Sequence, residues 1–126
     1  MDRADLYAVL DDYLAALGAG DPARLTWAGE VRASENNVML DPGDGVWGTI
    51  ERLGDYQLRF ADPATGQVGY FGTVIEPKEE SAFCMRLGVN ARGEIAEAEM
   101  VIVRDSEYGM ALPGKQFWTK PILERE

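Results

Sequence analysis

The chain has 126 residues, a formal net charge of −10, one cysteine and no histidine. This length fits a single domain, and the excess of acidic over basic residues, 22 against 12, argues against binding to nucleic acid or to anionic membranes. Without histidine the chain has no imidazole for acid–base catalysis, zinc or haem, so we expect no cofactor and no metal. The lone Cys84 is interpreted as a small apolar residue, because no base is available to form its thiolate.

The N-terminal segment is predicted to form an amphipathic helix. Its apolar residues recur at the spacing of one helical face: Leu6, Val9, Leu10, Tyr13, Leu14 and Leu17. Asp2 can cap the start of this helix, and Gly18 can end it in a left-handed conformation. Asp21 and Pro22 then predict a second, short helix over residues 22–27. The segment does not resemble a secretory signal and no apolar run approaches a membrane span, so we expect a cytoplasmic protein.

The pattern changes from Glu30 onwards. Residues 31–36 are predicted to form a short strand, and residues 38–40 a second extended piece. The sequence of residues 41–45, Asp-Pro-Gly-Asp-Gly, has the composition of a loop. Residues 46–53 could form a short helix that ends at Gly54.

The second half of the chain is predicted to be mainly strand. Alternating residues around 56–60, and the segments 68–75, 82–89 and 95–104, are separated by short turns, which favours an antiparallel meander. Helices followed by strands predict an α+β fold, with the helices on one face of the sheet. Residues 1–104 form the predicted domain, and residues 105–126 a C-terminal extension. This extension carries enough apolar side chains that we expect it to pack on the domain or on a neighbouring subunit.

Three stretches of this sequence resemble the NTF2-like superfamily, whose members are also called SnoaL-like or ketosteroid-isomerase-like. They are GAGDPARL at residues 18–25, VRASENNVMLDPGDGVWGTIERL at residues 31–53, and the four-strand meander. The segments DGVWGT and FADPATGQVGYFG are similar to a subgroup of small bacterial and fungal members. The resemblance covers about residues 3–104. It implies a cone in which N-terminal helices pack on a curved antiparallel sheet. The superfamily includes isomerases, cyclases, hydrolases, lyases and non-enzymes, so the fold alone does not decide the function.

Three residues are candidates for catalysis. Strand alternation places Glu35 on the same face as Val31 and Ala33, and a carboxylate that faces an apolar pocket can act as a general base. Tyr13 lies on the buried stripe of the helix, where its hydroxyl could stabilise an oxyanion. Arg86 lies among small residues and could project into a cavity for the same purpose. The alternatives are a solvated or ion-paired Glu35, and an Arg86 that extends to solvent.

Five further residues are candidates for substrate binding: Trp47, Tyr56, Arg59, Tyr70 and Glu99. The aromatic members could line a pocket for an aromatic ligand, although each could equally be a core residue. Arg59 lies on a polar face of its strand. Glu99 shares a face with Glu97, and it is the better placed of the two to pair with Arg86 across neighbouring strands.

The sequence therefore predicts a cofactor-independent enzyme that performs proton-transfer chemistry on a small apolar molecule. An aromatic or polycyclic substrate would fit, and the reaction could be an isomerisation, a cyclisation or a retro-aldol-type cleavage. The alternative is a non-catalytic module for ligand binding or dimerisation. We expect a homodimer or higher homo-oligomer, because an open sheet leaves an apolar face that a second copy would cover.

Overall fold

The structure is a computed structural model that describes residues 1–104, so the predicted packing of residues 105–126 lies outside the described residues. Within this range the chain forms one α-helix and six strands. The helix α1 spans Arg3–Gly18, and two short 3₁₀ helices span Pro22–Arg24 and Gly45–Gly48. The strands are β1 (Trp27–Glu35), β2 (Val38–Met39), β3 (Arg52–Asp62), β4 (Gln67–Glu76), β5 (Glu79–Val89) and β6 (Ile95–Val103).

Helix α1 begins as the sequence predicts. The Asp2 side chain accepts a hydrogen bond from the backbone N–H of Asp5, and the Asp5 side chain accepts one in return from the N–H of Asp2, both at 2.9 Å. This reciprocal pair satisfies two of the free N–H groups at the helix start. The predicted left-handed residue at the end of the helix was wrong by two positions. Gly18 is the last residue of the helix, and Gly20 takes the left-handed conformation with a φ of 65°.

The two predicted short helices are both shorter than expected. The first covers only Pro22–Arg24, because Trp27 already begins β1 and its indole N–H donates a 2.9 Å hydrogen bond to the Pro22 carbonyl. The second is limited to Gly45–Gly48. Gly54 does not end a helix but lies inside β3, where the Thr73 hydroxyl occupies the space that a side chain would need.

The strands form one curved sheet in the order β2-β1-β6-β5-β4-β3. The meander from β3 to β6 is antiparallel throughout, as the sequence predicts, whereas β1 runs parallel to β6. The parallel pair makes the sheet mixed. With one helix packed on this sheet, the α+β fold class is confirmed.

The hydrophobic core lies between α1 and one side of the sheet, which we call the helix-facing side; the opposite side is the outer face. The helix contributes the predicted stripe, including the fully buried Leu6, Leu10 and Leu17. Strands β5 and β6 contribute their bulky alternate residues, such as Leu87 and Ile102. No helix within residues 1–104 is both long enough and apolar enough to cross a membrane.

Candidate active site

The register of the sheet divides the predicted site residues between its two sides, because directly opposed residues on paired strands share a face. One row on the helix-facing side runs through Glu35, Met100, Met85, Tyr70 and Arg59. The neighbouring row on the outer face runs through Ser34, Glu99, Arg86, Gly69 and Phe60. Glu35 therefore lies on the side of the sheet that α1 covers, as the sequence predicts.

Tyr13 brings a phenol from α1 to this row. The side chain is fully buried, and its hydroxyl contacts the Met100 sulfur at 3.7 Å. Its ring meets the rings of Trp27 and Trp47 edge to face, with centroids 6.1 Å and 5.3 Å away. Burial raises the pKa of the Tyr13 phenol well above its usual value; a hydrogen bond with Trp47 opposes this shift, and the charge of Glu35 adds to it. Tyr13 is thus a neutral hydrogen-bond donor close to the Glu35 carboxylate.

Glu35 is the last residue of β1, and its carboxylate turns towards the loop that follows β2. Its Oε1 accepts a 2.7 Å hydrogen bond from the backbone N–H of Val46, at the start of the second 3₁₀ helix. Gly45 makes this approach possible, since its φ is 68° and a Cβ built there would lie 2.4 Å from Glu35 Oε1. Among residues 1–104, no group donates a hydrogen bond to Oε2. That oxygen can therefore accept a proton.

The segment that carries Trp47 is held in place by a network that the sequence did not reveal. The Thr49 hydroxyl donates to Glu76 Oε2 at 2.5 Å, and Arg104 binds both carboxylate oxygens of Glu76 at 2.6 Å and 3.0 Å. Although burial opposes it, hydrogen bonding from Arg104 and Thr49 holds the pKa of Glu76 below its usual range. The sequence places Glu76 in the turn between the predicted strand segments 68–75 and 82–89, whereas the structure makes it the buried last residue of β4.

The other predicted binding residues on the helix-facing side have different roles. Tyr70 is fully buried, with its ring 6.2 Å from that of Phe83. Arg59 forms a 2.7 Å ion pair with Asp11 and lies 5.4 Å from the centre of the Tyr7 ring, so it fastens α1 to the edge of the sheet. Tyr56 is half-buried and lies where the pairing of β3 with β4 is irregular.

Arg86 and Glu99 lie on the outer face and do not share a site with Glu35 and Tyr13. Arg86 contacts Glu97 at 2.8 Å, Glu99 at 3.3 Å and Gln67 at 3.2 Å. The predicted pairing of Arg86 with Glu99 is therefore present. The small neighbours of Arg86 on β5 are part of an open sheet face, and the arginine is engaged by acidic side chains there. Cys84 is on the same face and half-buried.

The described part of the chain contains no group of three or more cysteine, aspartate and glutamate side chains that could hold a metal ion. The side chains of Glu35, Tyr13, Trp27 and Trp47 supply a carboxylate, a phenol and two indoles.

Neither a family model nor a curated protein sequence matches this chain, but solved structures do. An NTF2-like protein of unknown function from Cytophaga hutchinsonii has a TM-score of 0.63 at 7% identity, over 82% of this chain and 94% of its own. The chain has an NTF2-like fold. A proposed isomerase of the SnoaL-like family from Agrobacterium tumefaciens has a TM-score of 0.54 at 12% identity, over 80% and 99% of the two chains. PrhC from Penicillium brasilianum has a TM-score of 0.63 at 8% identity, over 85% of each chain. At these identities the likeness to NTF2-like proteins concerns the fold.

Proposed function

We propose that this protein is a cofactor-independent enzyme that moves a proton on a small, apolar and enolisable substrate. The observation that carries the proposal is the position of Glu35 on the helix-facing side: one of its carboxylate oxygens has no donor in the described chain, and it pairs with Met100, the residue that the buried Tyr13 hydroxyl contacts. A carboxylate base and a neutral phenol donor are the two groups that enolate chemistry needs.

The chemical step uses these two groups in turn. The Glu35 carboxylate takes a proton from a carbon next to a carbonyl group, and the electron pair of the broken C–H bond moves onto the carbonyl oxygen. Tyr13 stabilises the resulting enolate by a hydrogen bond, because its phenol remains protonated. The carboxylic acid then returns the proton to the same or another carbon. Return to another carbon gives an isomer. Where the enolate carbon instead attacks a second carbonyl carbon of the same molecule, the π electrons of that carbonyl move onto its oxygen, the oxygen takes the proton from Glu35, and the product is cyclised.

The surroundings favour an apolar substrate. Trp47 and Trp27 border the Tyr13 ring, and the neighbouring sheet residues Met85 and Met100 are both buried. Thioether and aromatic side chains adapt well to flat apolar molecules. A low-polarity environment also strengthens the hydrogen bond from Tyr13 to a developing negative charge.

The test uses an enolisable ketone, 2-tetralone, in D₂O. The wild-type protein should accelerate incorporation of deuterium at the carbons next to the carbonyl group, and Glu35→Gln should lose this acceleration. The glutamine can still accept the hydrogen bond from the Val46 N–H, so this variant removes the base and retains the fold. Glu30→Gln is the matched control, since Glu30 lies exposed on the same strand.

The second candidate function is a non-catalytic module that binds a ligand or dimerises. The hydrogen bond from Val46 to Glu35 favours it, because a carboxylate can be retained simply to hold this loop.

The exposed apolar side chains of the outer face favour dimerisation. Four of its large apolar side chains are between 39% and 52% exposed: Leu58, Phe60, Phe71 and Val101.

A second copy of this chain is the proposed occupant of the outer face. Arg86 pairs with Glu97 and Glu99 on this face, so the acidic side chains of its central strands already have a cationic partner. Two copies that met through the apolar part of this face would bury Leu58, Phe60 and Phe71.

A further inference from the structure

Two hydroxyl groups in the core have no hydrogen-bond partner within the described part of the chain, those of Tyr70 and Ser81. Both residues are almost completely buried, at 0% and 1% exposure. Buried hydroxyl groups are nearly always paired, because an unpaired one has lost its hydrogen bonds to water without replacement. Two such groups in one small core therefore indicate that something else supplies their partners.

The two hydroxyls lie in the same part of the helix-facing side. Tyr70 and Ser81 are on the neighbouring strands β4 and β5, where Gly72 pairs with Phe83 and Val74 pairs with Ser81. The Tyr70 ring extends over Gly72, since a Cβ built on this glycine would lie 2.4 Å from the phenol oxygen. Gly72 is diagonal to Ser81 in the ladder, and diagonal neighbours have Cα atoms about 7–8 Å apart. The phenol oxygen of Tyr70 thus lies over the residue that is diagonal to Ser81.

We infer that Tyr70 and Ser81 form a binding subsite for an uncharged oxygen atom, that of a ketone or a hydroxyl group, on an otherwise apolar ligand. This inference rests on the proposed function and specifies its substrate class. Phe83 lies beside the Tyr70 ring and Val74 is fully buried. The charged side chains at this end of the sheet are already paired, Arg104 with Glu76 and Arg59 with Asp11. Burial of a charged group among such side chains is far less favourable than burial of a carbonyl or hydroxyl oxygen that receives hydrogen bonds.

Tyr70 is suited to donate in this position. Burial raises the pKa of its phenol, and the opposing influence of Arg59 is weaker. The phenol is therefore protonated at neutral pH and can donate to a ligand oxygen. The serine hydroxyl can donate or accept, so the pair can serve either a carbonyl or a hydroxyl group.

The position of the subsite also sets the size of the ligand. Glu35 and Tyr70 belong to the same cross-sheet row and are separated by three steps from strand to strand. With strands about 4.8 Å apart, their Cα atoms are about 14 Å from each other. A substrate that reacts near Glu35 and places an oxygen at Tyr70 is thus an elongated molecule, of the dimensions of two or more fused rings.

The experiment compares two probes of nearly the same shape, 2-acetylnaphthalene and 2-isopropenylnaphthalene, which differ by a carbonyl oxygen in place of a methylene group. Binding is measured by quenching of tryptophan fluorescence. The wild-type protein should bind the ketone about 10-fold more tightly than the hydrocarbon. Tyr70→Phe and Ser81→Ala should each reduce this preference, and the double variant should bind the two probes equally. Tyr7→Phe is the control: it removes the phenol oxygen of a tyrosine on α1 whose ring contacts Arg59, and it should retain the preference for the ketone.

Thermal unfolding without ligand provides a second measurement. Because neither hydroxyl has a partner in the described chain, Tyr70→Phe and Ser81→Ala should unfold at the wild-type temperature or above it. A clear decrease in both variants would mean that the hydroxyls serve the fold and would overturn the inference. Equal affinity of the wild-type protein for the two probes, or binding of neither, would overturn it as well.

The Glu35→Gln variant tests the proposed function independently of the subsite. Glu35→Gln should bind the two naphthalene probes with the wild-type preference, because it leaves Tyr70 and Ser81 unchanged. If Glu35→Gln also exchanges 2-tetralone protons at the wild-type rate, the catalytic proposal fails while the ketone preference still reports on the subsite.

Discussion

The Glu35 carboxylate accepts a 2.7 Å hydrogen bond from the backbone N–H of Val46, and Glu35 pairs across the sheet with Met100, whose sulfur accepts from the Tyr13 hydroxyl. One end of β1 is thereby connected both to the loop that carries Trp47 and to the middle of α1. The connection depends on a glycine before Val46 and on the burial of the tyrosine. Each of these features can be changed by a single substitution.

Gly45→Ala should destabilise the protein by roughly 1–3 kcal/mol. The new methyl group would lie 2.4 Å from Glu35 Oε1, and alanine would have to adopt a φ of 68°. Gly48→Ala is the control, because no atom lies within 4 Å of a Cβ built there. The free energy of unfolding in urea measures both. Equal stability of the two variants would show that Glu35 is not held against this loop.

Glu76 should contribute stability that depends on pH. Its pKa is lowered in the folded protein from a reference value of 4.5, so its contribution is complete above about pH 4.5 and declines as the pH falls through the lower folded value. Glu76→Gln should cost about 1–3 kcal/mol near neutral pH and remove this part of the pH dependence. Urea unfolding between pH 3 and pH 7, at roughly half-unit steps, measures the effect. The exposed Glu51→Gln should behave as wild type; a Glu76→Gln profile parallel to wild type would contradict the assigned ion pair.

Leu58→Glu should convert a dimer into a monomer of 13.9 kDa. Leu58 is about half-exposed on β3, where it pairs with Phe71 in the apolar part of the outer face, and a buried carboxylate there would oppose association. Light scattering coupled to size exclusion measures the mass. Val38→Glu is the control, because Val38 is similarly exposed but lies at the edge strand β2, opposite Glu35. A wild-type protein that is monomeric at micromolar concentration would refute the proposal that a second copy of this chain covers the outer face.

Tyr13→Phe should slow exchange of 2-tetralone protons by about 10²-fold, the usual cost of losing one donor to an oxyanion. The fold should tolerate the change at a cost of about 1 kcal/mol, because the variant loses its hydrogen bond with Trp47 and a 3.7 Å hydrogen bond to a thioether sulfur, which is a weak acceptor. Thermal unfolding within a few degrees of wild type would establish this. An unchanged exchange rate in a folded Tyr13→Phe variant would exclude Tyr13 as the oxyanion donor.

Much of the fold could be predicted from periodicity. The helical stripe of α1, the meander and the buried alternates of β5 and β6 are all present in the structure. Alternation identifies which residues share a face, but not which face is covered. On β3 the apolar Leu58 and Phe60 lie on the outer face, which no helix of the described chain covers. Arg59 lies on the helix-facing side, where it forms an ion pair with Asp11 of α1.

The candidate site was predictable to the same extent. Alternation along β1 and the stripe on α1 place Glu35 and Tyr13 on one side of the sheet, and in the structure Tyr13 contacts Met100, the residue that pairs with Glu35. Arg86 could not be assigned, since a cation among small residues is compatible with a cavity or an open face. The contact of Glu76 with Arg104 joins positions 28 residues apart and has no local signature. Ser81 gave no signal, because an isolated serine in a strand is usually solvated.

The most direct test of the catalytic proposal is the rate at which 2-tetralone gains deuterium in D₂O, followed by proton NMR for the wild-type protein, Glu35→Gln and Glu30→Gln. A general base typically contributes about 10²–10⁴-fold to such a rate. The wild-type protein and Glu30→Gln should accelerate exchange equally, and Glu35→Gln should lower the protein-catalysed rate by about 10²-fold or more. A folded Glu35→Gln variant that exchanges as fast as wild type, or a wild-type protein that does not accelerate exchange over buffer, would contradict the account.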